Sequence, residues 1–214
     1  MNSSNVVIND SYAENLVNKL KNICKNSNVE INLLSVQEAI IFAKECHKGQ
    51  FRKSGEPFYS HPLAVAELVA DYSLDEISII SAILHDTLED SSITFSKIAF
   101  RFGEDVAEIV DSVTKISSRS NYKLKLKEEQ ILEKLYNINN NSAILVKLCD
   151  RLHNLQTIDS LSHSKKQKKA LETIRTYVPL AKYLGIKDIE EKLSRLSFII
   201  LEEYKLRTIN EMYL

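Results

Sequence analysis

Residues 82–90, Ala-Ile-Leu-His-Asp-Thr-Leu-Glu-Asp, combine an apolar run with a histidine and three carboxylates. Imidazole and carboxylate together suit Mn²⁺, Fe or Zn²⁺, so the stretch is a candidate metal site with nitrogen and oxygen ligands. If one helix continues past Asp86, then Asp86 and Asp90 share a face. His85 and Glu89 lie together on the adjacent face. Two candidate ligands and two candidate acid–base groups would then surround one point.

A second polar stripe lies on a helix predicted over residues 143–158. Asp150, Asn154 and Thr157 recur there at intervals of four and three, beside an apolar stripe. A carboxylate in that position is costly to bury unless it is paired or bound to a metal. The residues alone leave a simpler alternative open for both segments: a solvated helix end with a histidine satisfied in the core, and a stripe that faces water.

A basic loop precedes a further histidine. Residues 49–60 contain two of the chain's four glycines and the adjacent cations Arg52 and Lys53, which indicates an ordered loop. His61 and Pro62 follow, and proline is favoured in the first turn of a helix. We therefore expect His61 at a helix start beside the loop. A solvated basic turn is the alternative for Arg52 and Lys53.

Composition predicts an all-α protein. The 214 residues include only 4 Gly and 3 Pro, against average usage of about 7% and about 5%, so long helices with short connections are expected. Lys plus Arg number 28 and Asp plus Glu 29, which leaves a net charge of -1. No long-range field therefore favours nucleic acid or an anionic membrane, and a polyanionic ligand must meet local cations.

The cysteines and the apolar runs bear on location. Three cysteines occur without a C-x-x-C pair, which favours a reducing compartment and three small apolar side chains. The N-terminus lacks a signal-peptide pattern, and no stretch approaches the roughly 18 uninterrupted apolar residues of a membrane span. We expect a cytoplasmic protein. Nothing in the sequence assigns an oligomeric state.

Caps and apolar periodicity place the helices. Asp10 and Asp75 are predicted N-caps, and Ser35 to Glu38 forms a capping-box pattern. The helix after Asp75 is apolar nearly all round, so it should lie at the centre of the domain. Further expectations are disorder over residues 1 to about 9, a charged helix over about 122–138, an interruption at Pro179, and a last helix over about 188–204 with Leu193, Leu196, Ile199 and Ile200 inward.

Taken together, these motifs resemble the HD superfamily of metal-dependent phosphohydrolases, and more closely the hydrolase domain of the bacterial RelA/SpoT alarmone enzymes. The motifs are RKSGEP at 52–57, HPLAVA at 61–66, HDTLED at 85–90, VTK at 113–115 and DRLHN at 150–154. The resemblance covers about residues 35–200. It implies an HD-domain bundle of about ten helices over residues 35–205, preceded by a helical extension over residues 1–34.

The resemblance also implies a role for each group. One Mn²⁺ would be held by two imidazoles and two carboxylates: His61, His85, Asp86 and Asp150. The carboxylates that act on the water and the leaving group would be Glu89 and Asp90. Substrate phosphate or base would be contacted by Arg52 and Lys53, and the nucleoside by Asn154 and Thr157.

The implied substrate is a small guanine nucleotide. Members of the family remove pyrophosphate from the 3′ position of guanosine tetra- or pentaphosphate. Two features depart from the pattern or limit it. Leu155-Gln156 stands where the family usually has Met or Leu followed by Arg, which puts basic contacts on that helix in doubt. Residues 176–186 resemble the segment that leads into a synthetase domain, so we expect a hydrolase-only or truncated member.

Two alternatives stay open. The first is a related phosphohydrolase that acts on another phosphorylated nucleotide, such as NADPH. The second is a binding module that keeps the alarmone pocket and signals by conformation. The intact metal and acid–base positions favour an enzyme over a module, because a sensor needs no acid–base pair.

Overall fold

The computed structural model describes residues 10–27, 29–116 and 140–212, and its regular elements are helical. The helices are α1 (Ser11–Ser27), α2 (Leu33–Cys46), α3 (Ser60–Ala70), α4 (Glu76–Leu84), α5 (Thr87–Asp90), α6 (Phe95–Phe102), α7 (Glu104–Ile116), α8 (Asn141–Gln156), α9 (His163–Glu172), α10 (Val178–Tyr183) and α11 (Lys187–Met212). A 3₁₀ turn (Ile158–Ser160) follows α8, and a π-helical turn (Thr173–Tyr177) precedes α10. No strand occurs in these ranges, so the all-α prediction is confirmed. The predicted disorder over residues 1–9 and the predicted helix over 122–138 lie outside the described residues.

The described residues divide into two compact units. The first comprises those within Met1–Arg52 and Glu56–Val110, and the second those within Lys53–Gly55 and Asp111–Leu214. Within the first unit, α1 packs against α2 and α3. The predicted division into an extension over 1–34 and a domain over 35–205 stays a prediction.

Helix α4 is the centre of the first unit. Asp75 caps it by accepting a hydrogen bond from the Ser78 amide at 3.0 Å, as predicted. Seven of its nine residues, from Ser78 to Leu84, are buried, and the helix packs against α2 and α3. Full burial of each large aliphatic side chain contributes roughly 1.5–3 kcal/mol. This burial fixes the end of α4, from which the next two side chains emerge.

The start of α2 differs from the prediction. Asn32, not Ser35, is the N-cap, and its side chain accepts hydrogen bonds from the Leu34 and Ser35 amides. Because Asn32 already satisfies those first-turn donors, the helix begins two residues before the predicted cap. Glu38, predicted to close the capping box, instead pairs with Arg101 at 2.8 Å.

In the second unit, α11 packs against α8, α9, α10 and the π-helical turn. The interruption predicted at Pro179 is confirmed, since α10 begins at Val178 directly after that turn. The prediction that Ile199 faces inward is wrong, because its side chain is 47% exposed. Leu193, Ser197 and Ile200 are buried, at intervals of four and three, and Ile199 lies about 100° from Ile200, outside that stripe.

The carboxylate of Asp10 joins three parts of the first unit. It caps α1 through the Tyr12 and Ala13 amides, as predicted, and accepts hydrogen bonds from Lys44 Nζ at 2.6 Å and the Tyr59 hydroxyl at 3.1 Å. Burial opposes its ionisation, but the hydrogen bonds and the Lys44 charge outweigh this and lower the pKa of Asp10. Burial and the Asp10 charge raise the pKa of Tyr59 to about 12. Asp10 therefore anchors the segment that leads into α3.

We predict that Asp10→Asn, which keeps a capping oxygen but removes the charge, lowers the free energy of unfolding by about 1 kcal/mol at neutral pH. A depressed folded-state pKa stabilises the fold above the unfolded value of about 3.9, and the contribution is lost as the pH falls through the folded pKa. The gap between wild type and variant in the free energy of unfolding, measured with urea, should therefore narrow as the pH falls from about 7 to about 3. A gap of constant size would contradict this. Glu191→Gln, in an exposed pair, is the control and should change little.

Candidate metal centre

His61 enters the site from the first turn of α3. Helix α3 begins at Ser60, so the predicted position of His61 at a helix start is confirmed. Its amide donates to the Phe58 carbonyl at 3.1 Å, and Pro62 occupies a first-turn position where no intrahelical donor is needed. The side chain is 6% exposed. The imidazole is thus held at the edge of the buried face of α3.

His85 follows the last residue of the central helix. Its Nδ1 lies 2.8 Å from the Ala82 carbonyl oxygen, and a carbonyl only accepts, so Nδ1 carries the proton. In the neutral imidazole, Nε2 then presents a lone pair. Nε2 is buried and has no hydrogen-bond partner among the described residues. The apolar helix therefore delivers one unpaired imidazole nitrogen to the end of α4.

Asp86 completes a compact group with the two histidines. Its Oδ1 lies 3.2 Å from His85 Nε2, and its Oδ2 lies 3.8 Å from His61 Nε2. The imidazole centroids are 5.3 Å apart at an interplanar angle of 71°. Ligand atoms from all three residues lie within 4.8 Å of one another. The structure thus brings together three of the four predicted metal ligands.

The donor set fits a divalent cation. His85 Nε2 and an Asp86 carboxylate oxygen lie 3.2 Å apart, so a nitrogen and an oxygen donor converge on one point, as two ligands of one cation do. The Ala82 carbonyl fixes the tautomer and ring orientation, as outer-shell partners of metal-ligating histidines do. Two imidazoles with a carboxylate suit Mn²⁺, Fe or Zn²⁺.

The acid–base candidates lie on a separate short helix. Helix α4 ends at Leu84, before Asp86. The Thr87 hydroxyl donates to the Leu84 carbonyl at 2.6 Å, in place of the amide that a continuing helix would supply. Helix α5 then starts at Thr87, and the Asp90 amide donates to the Asp86 carbonyl at 2.9 Å. Glu89 and Asp90 are half-buried one turn beyond Asp86. The expectation that one helix continues past Asp86 was therefore wrong. The proton-transfer roles of Glu89 and Asp90 stay predictions.

The fourth predicted ligand, Asp150, lies on α8 in the second unit. It is 8% exposed, and its carboxylate accepts hydrogen bonds from Lys147 Nζ at 2.9 Å and from Asn154 Nδ2. Thr157 is exposed, and its hydroxyl donates to the His153 carbonyl. The alternative of a water-facing stripe thus holds for Thr157 and fails for Asp150. The ligand role of Asp150 and the nucleoside contacts of Asn154 and Thr157 stay predictions.

Sequence reasoning missed the charged groups that hold α8. Lys147 is 7% exposed, and its position three residues before Asp150 was the available signal. Arg151 pairs with Glu172 at 3.0 Å and stacks on the Tyr177 ring at 4.0 Å. These contacts tie α8 to α9 and to the π-helical turn. Burial, with the nearby Arg151 charge, lowers the pKa of Lys169.

The predicted basic loop is closed by backbone hydrogen bonds. The Arg52 amide donates to the Glu56 carbonyl at 2.8 Å, and Phe51 forms an isolated bridge with Pro57. Gly55, with φ of 91°, supplies a conformation that other residues rarely adopt. Arg52 is half-buried and Lys53 is exposed. The loop is ordered, as predicted, and contact of the two cations with a substrate stays a prediction.

The comparison with known families decides the wider class. Residues 39–187 match the HD domain family. The chain belongs to the HD-domain family. Membership implies a divalent metal in this HD domain, in agreement with the group formed by His61, His85 and Asp86.

Named relatives extend the comparison. The HD domain is similar to a protein of Myxococcus xanthus named GTP pyrophosphokinase, with 41% identity over 168 residues, 76% of this chain and 22% of that protein. It is also similar to a protein of Haemophilus influenzae named guanosine-3′,5′-bis(diphosphate) 3′-pyrophosphohydrolase, with 36% identity over 177 residues, 80% of this chain and 26% of that protein. These names confirm the resemblance to the alarmone enzymes. The HD domain spans about a quarter of the length of these curated relatives.

A solved structure shares the fold. It is described as a metazoan orthologue of SpoT that hydrolyses ppGpp, and it aligns with a TM-score of 0.57 and 22% identity over 84% of this chain and 98% of that chain. At this identity the likeness concerns the fold of the HD domain.

Among the described residues of this chain, no helix is both long enough and apolar enough to cross a membrane.

We predict that Asp86→Asn weakens Mn²⁺ binding by at least about 100-fold, since even supporting groups around a metal change its affinity by about 10- to 100-fold. The affinity is measured by titration calorimetry on metal-free protein. Asp71→Asn is the matched control in the same unit, because Asp71 pairs with Lys19 at 2.7 Å. Equal Mn²⁺ affinities for the two variants would exclude Asp86 as a ligand.

Proposed function

We propose that this HD domain hydrolyses guanosine 3′-diphosphate 5′-diphosphate, and the pentaphosphate, to GDP or GTP and pyrophosphate. The observation that carries the proposal is the group of His61, His85 and Asp86 at the end of α4, in which both imidazoles are buried. Support comes from the relative named a 3′-pyrophosphohydrolase, which is similar over 80% of the chain. We propose one Mn²⁺ as the ion and the cytoplasm as the location, which suits three free cysteines.

Asp150 is proposed as the fourth ligand, and this assignment rests on the resemblance. Asp150 is 8% exposed, and a carboxylate that is so buried needs partners. Lys147 and Asn154 supply them and fix the orientation of both oxygens. Two imidazoles and two carboxylates form a donor set that Mn²⁺ accepts.

A bound divalent ion lowers the pKa of a coordinated water and polarises a phosphoryl oxygen. The protein residues then have separate tasks. One carboxylate of the pair Glu89 and Asp90 accepts the proton of the attacking water, and the other donates a proton to the departing ribose 3′-oxygen. Their half-buried position on α5 leaves both able to reach a substrate.

Substrate charge must be met locally, because the net charge of the chain is only -1. Arg52 and Lys53 are proposed to bind the phosphates or the base, since guanidinium and ammonium groups form charge-assisted hydrogen bonds with phosphate oxygens. The closed loop keeps the Arg52 backbone fixed while Lys53 stays exposed. Asn154 and Thr157 are proposed to contact the nucleoside.

The products identify the bond that breaks. Mn²⁺-loaded protein given guanosine 3′-diphosphate 5′-diphosphate should release GDP and intact pyrophosphate, measured by ion-exchange chromatography and ³¹P NMR. Attack at the phosphorus bonded to the ribose 3′-oxygen expels that oxygen, so the diphosphate departs whole. Asp86→Asn is the inactive control, and a parallel incubation with NADPH tests the other phosphohydrolase activity.

Three results would count against the proposal. Orthophosphate as the first product would mean cleavage between the two phosphates. Turnover of NADPH alone would assign the other substrate. No turnover of either nucleotide by folded protein with a full complement of Mn²⁺ would favour the binding module.

Substitutions in the acid–base pair and at the proposed ligand Asp150 should have different effects on Mn²⁺ binding and on kcat. Glu89→Gln and Asp90→Asn should keep Mn²⁺ and lower kcat by about 10²- to 10⁴-fold, the usual contribution of general acid–base groups. Asp150→Asn should lose Mn²⁺ and activity together. Elemental analysis and steady-state kinetics on the same preparations give both readouts. Full Mn²⁺ retention in Asp150→Asn would remove it from the ligand set, and a loss below about threefold in both others would remove the pair from the mechanism.

A further inference from the structure

Helix α5 is too short to hold its own position. It has four residues, and only Thr87 among them is buried. The first amides and last carbonyls of a helix lack intrahelical partners, and a single turn is marginal in water. Glu89 and Asp90 therefore need support from outside α5 if their side chains are to act at a defined place.

Gln50 supplies that support. Its Nε2 donates to the Asp90 carbonyl at 2.9 Å, which satisfies one of the unpartnered carbonyls at the end of α5. The segment that follows α2 thus contacts the end of α5 through a hydrogen bond.

His47 fixes the orientation of Gln50. Because Nε2 of Gln50 donates to a carbonyl, Oε1 is the atom that faces His47 Nδ1, at 2.9 Å. Nδ1 must then be the donor. His47 is 1% exposed, and its ring lies 4.8 Å from the Phe58 ring, centroid to centroid. A buried imidazole therefore holds the amide in one orientation.

The same residues also contact the segment that carries His61. The Phe58 amide donates to the Gln50 carbonyl at 3.0 Å, and the Phe58 carbonyl accepts from the His61 amide at 3.1 Å. His47 thus touches both sides of the site, through Phe58 toward His61 and through Gln50 toward Asp90. Neither His47 nor Gln50 belongs to the group of candidate metal ligands.

We propose that His47 and Gln50 form a clasp that positions the acid–base pair on α5 relative to the metal centre. The inference rests on the proposed function for its catalytic meaning. Both are positioning residues, since they act on Asp90 through its backbone. A displacement of about 1 Å at a catalytic group can cost about 10²-fold in rate. Loss of the clasp should therefore lower kcat by about 10- to 100-fold while KM and Mn²⁺ affinity stay within about twofold.

Three variants separate positioning from packing. Gln50→Glu keeps the size and the acceptor for His47 but turns a carboxylate oxygen toward the Asp90 carbonyl, so the clasp opens. His47→Leu removes the Nδ1 donor, whereas His47→Asn places an amide donor near the Nδ1 position and should restore most of kcat. Gln37→Glu, on the preceding helix α2, is the matched control and should leave kcat unchanged.

The experiment measures kcat and KM on the alarmone, Mn²⁺ affinity, and hydrogen exchange of the amides in residues 87–91 by mass spectrometry. Gln50→Glu and His47→Leu should raise exchange in residues 87–91 by about tenfold without raising it in α2 or α4. His47→Asn should lie close to wild type in both kcat and exchange.

Several results would overturn the clasp. These are unchanged exchange in Gln50→Glu, kcat within about twofold of wild type, a parallel loss of Mn²⁺, or faster exchange throughout the first unit. Equal damage from His47→Leu and His47→Asn would show that the ring acts by packing. If wild type fails to turn over the alarmone, the proposed function is wrong, and the exchange data still decide whether the clasp holds α5.

Discussion

A buried imidazole nitrogen facing a carboxylate oxygen is the constraint on which this site depends. The Ala82 carbonyl fixes the proton of His85 on Nδ1, and Nε2 lies 3.2 Å from Asp86 with no hydrogen-bond partner among the described residues. Apolar burial of α4 drives His85 into this position. A divalent cation would accept both atoms as ligands. The fold thus places His85 Nε2 and an Asp86 oxygen together in the candidate metal group.

Other contacts within each unit hold the candidate site residues in place. Asp10 and Phe58 hold the segment that leads to His61, and Thr87 ends α4 so that α5 can turn away. In the second unit, Lys147 pairs with Asp150 at 2.9 Å and orients its carboxylate. The central helix is stabilised by apolar burial and by its Asp75 cap, whereas the short helix α5 depends on a few hydrogen bonds. We expect that mutations can weaken the hydrogen bonds that hold α5 without weakening the apolar burial of α4.

Much of this arrangement could be predicted from the sequence. Caps at Asp10 and Asp75 and the apolar run of α4 placed the main helices, because those signals are local. The break between Leu84 and Thr87 could not be predicted, since it depends on the Thr87 hydroxyl competing with a backbone amide. The inward position of Ile199 was wrong because Ser197, a polar residue, occupies the buried face. The contacts of His47 and Gln50 join residues 40 positions apart, which periodicity does not reveal.

The central claim is that His61 and His85 both bind one divalent ion at the end of α4. Pulsed electron paramagnetic resonance of Mn²⁺-loaded protein, labelled with ¹⁵N at histidine, tests this directly. Two directly coordinated imidazole nitrogens are predicted, falling to one in His61→Gln. A spectrum without histidine nitrogen coupling, or one that His61→Gln leaves unchanged, would contradict the account.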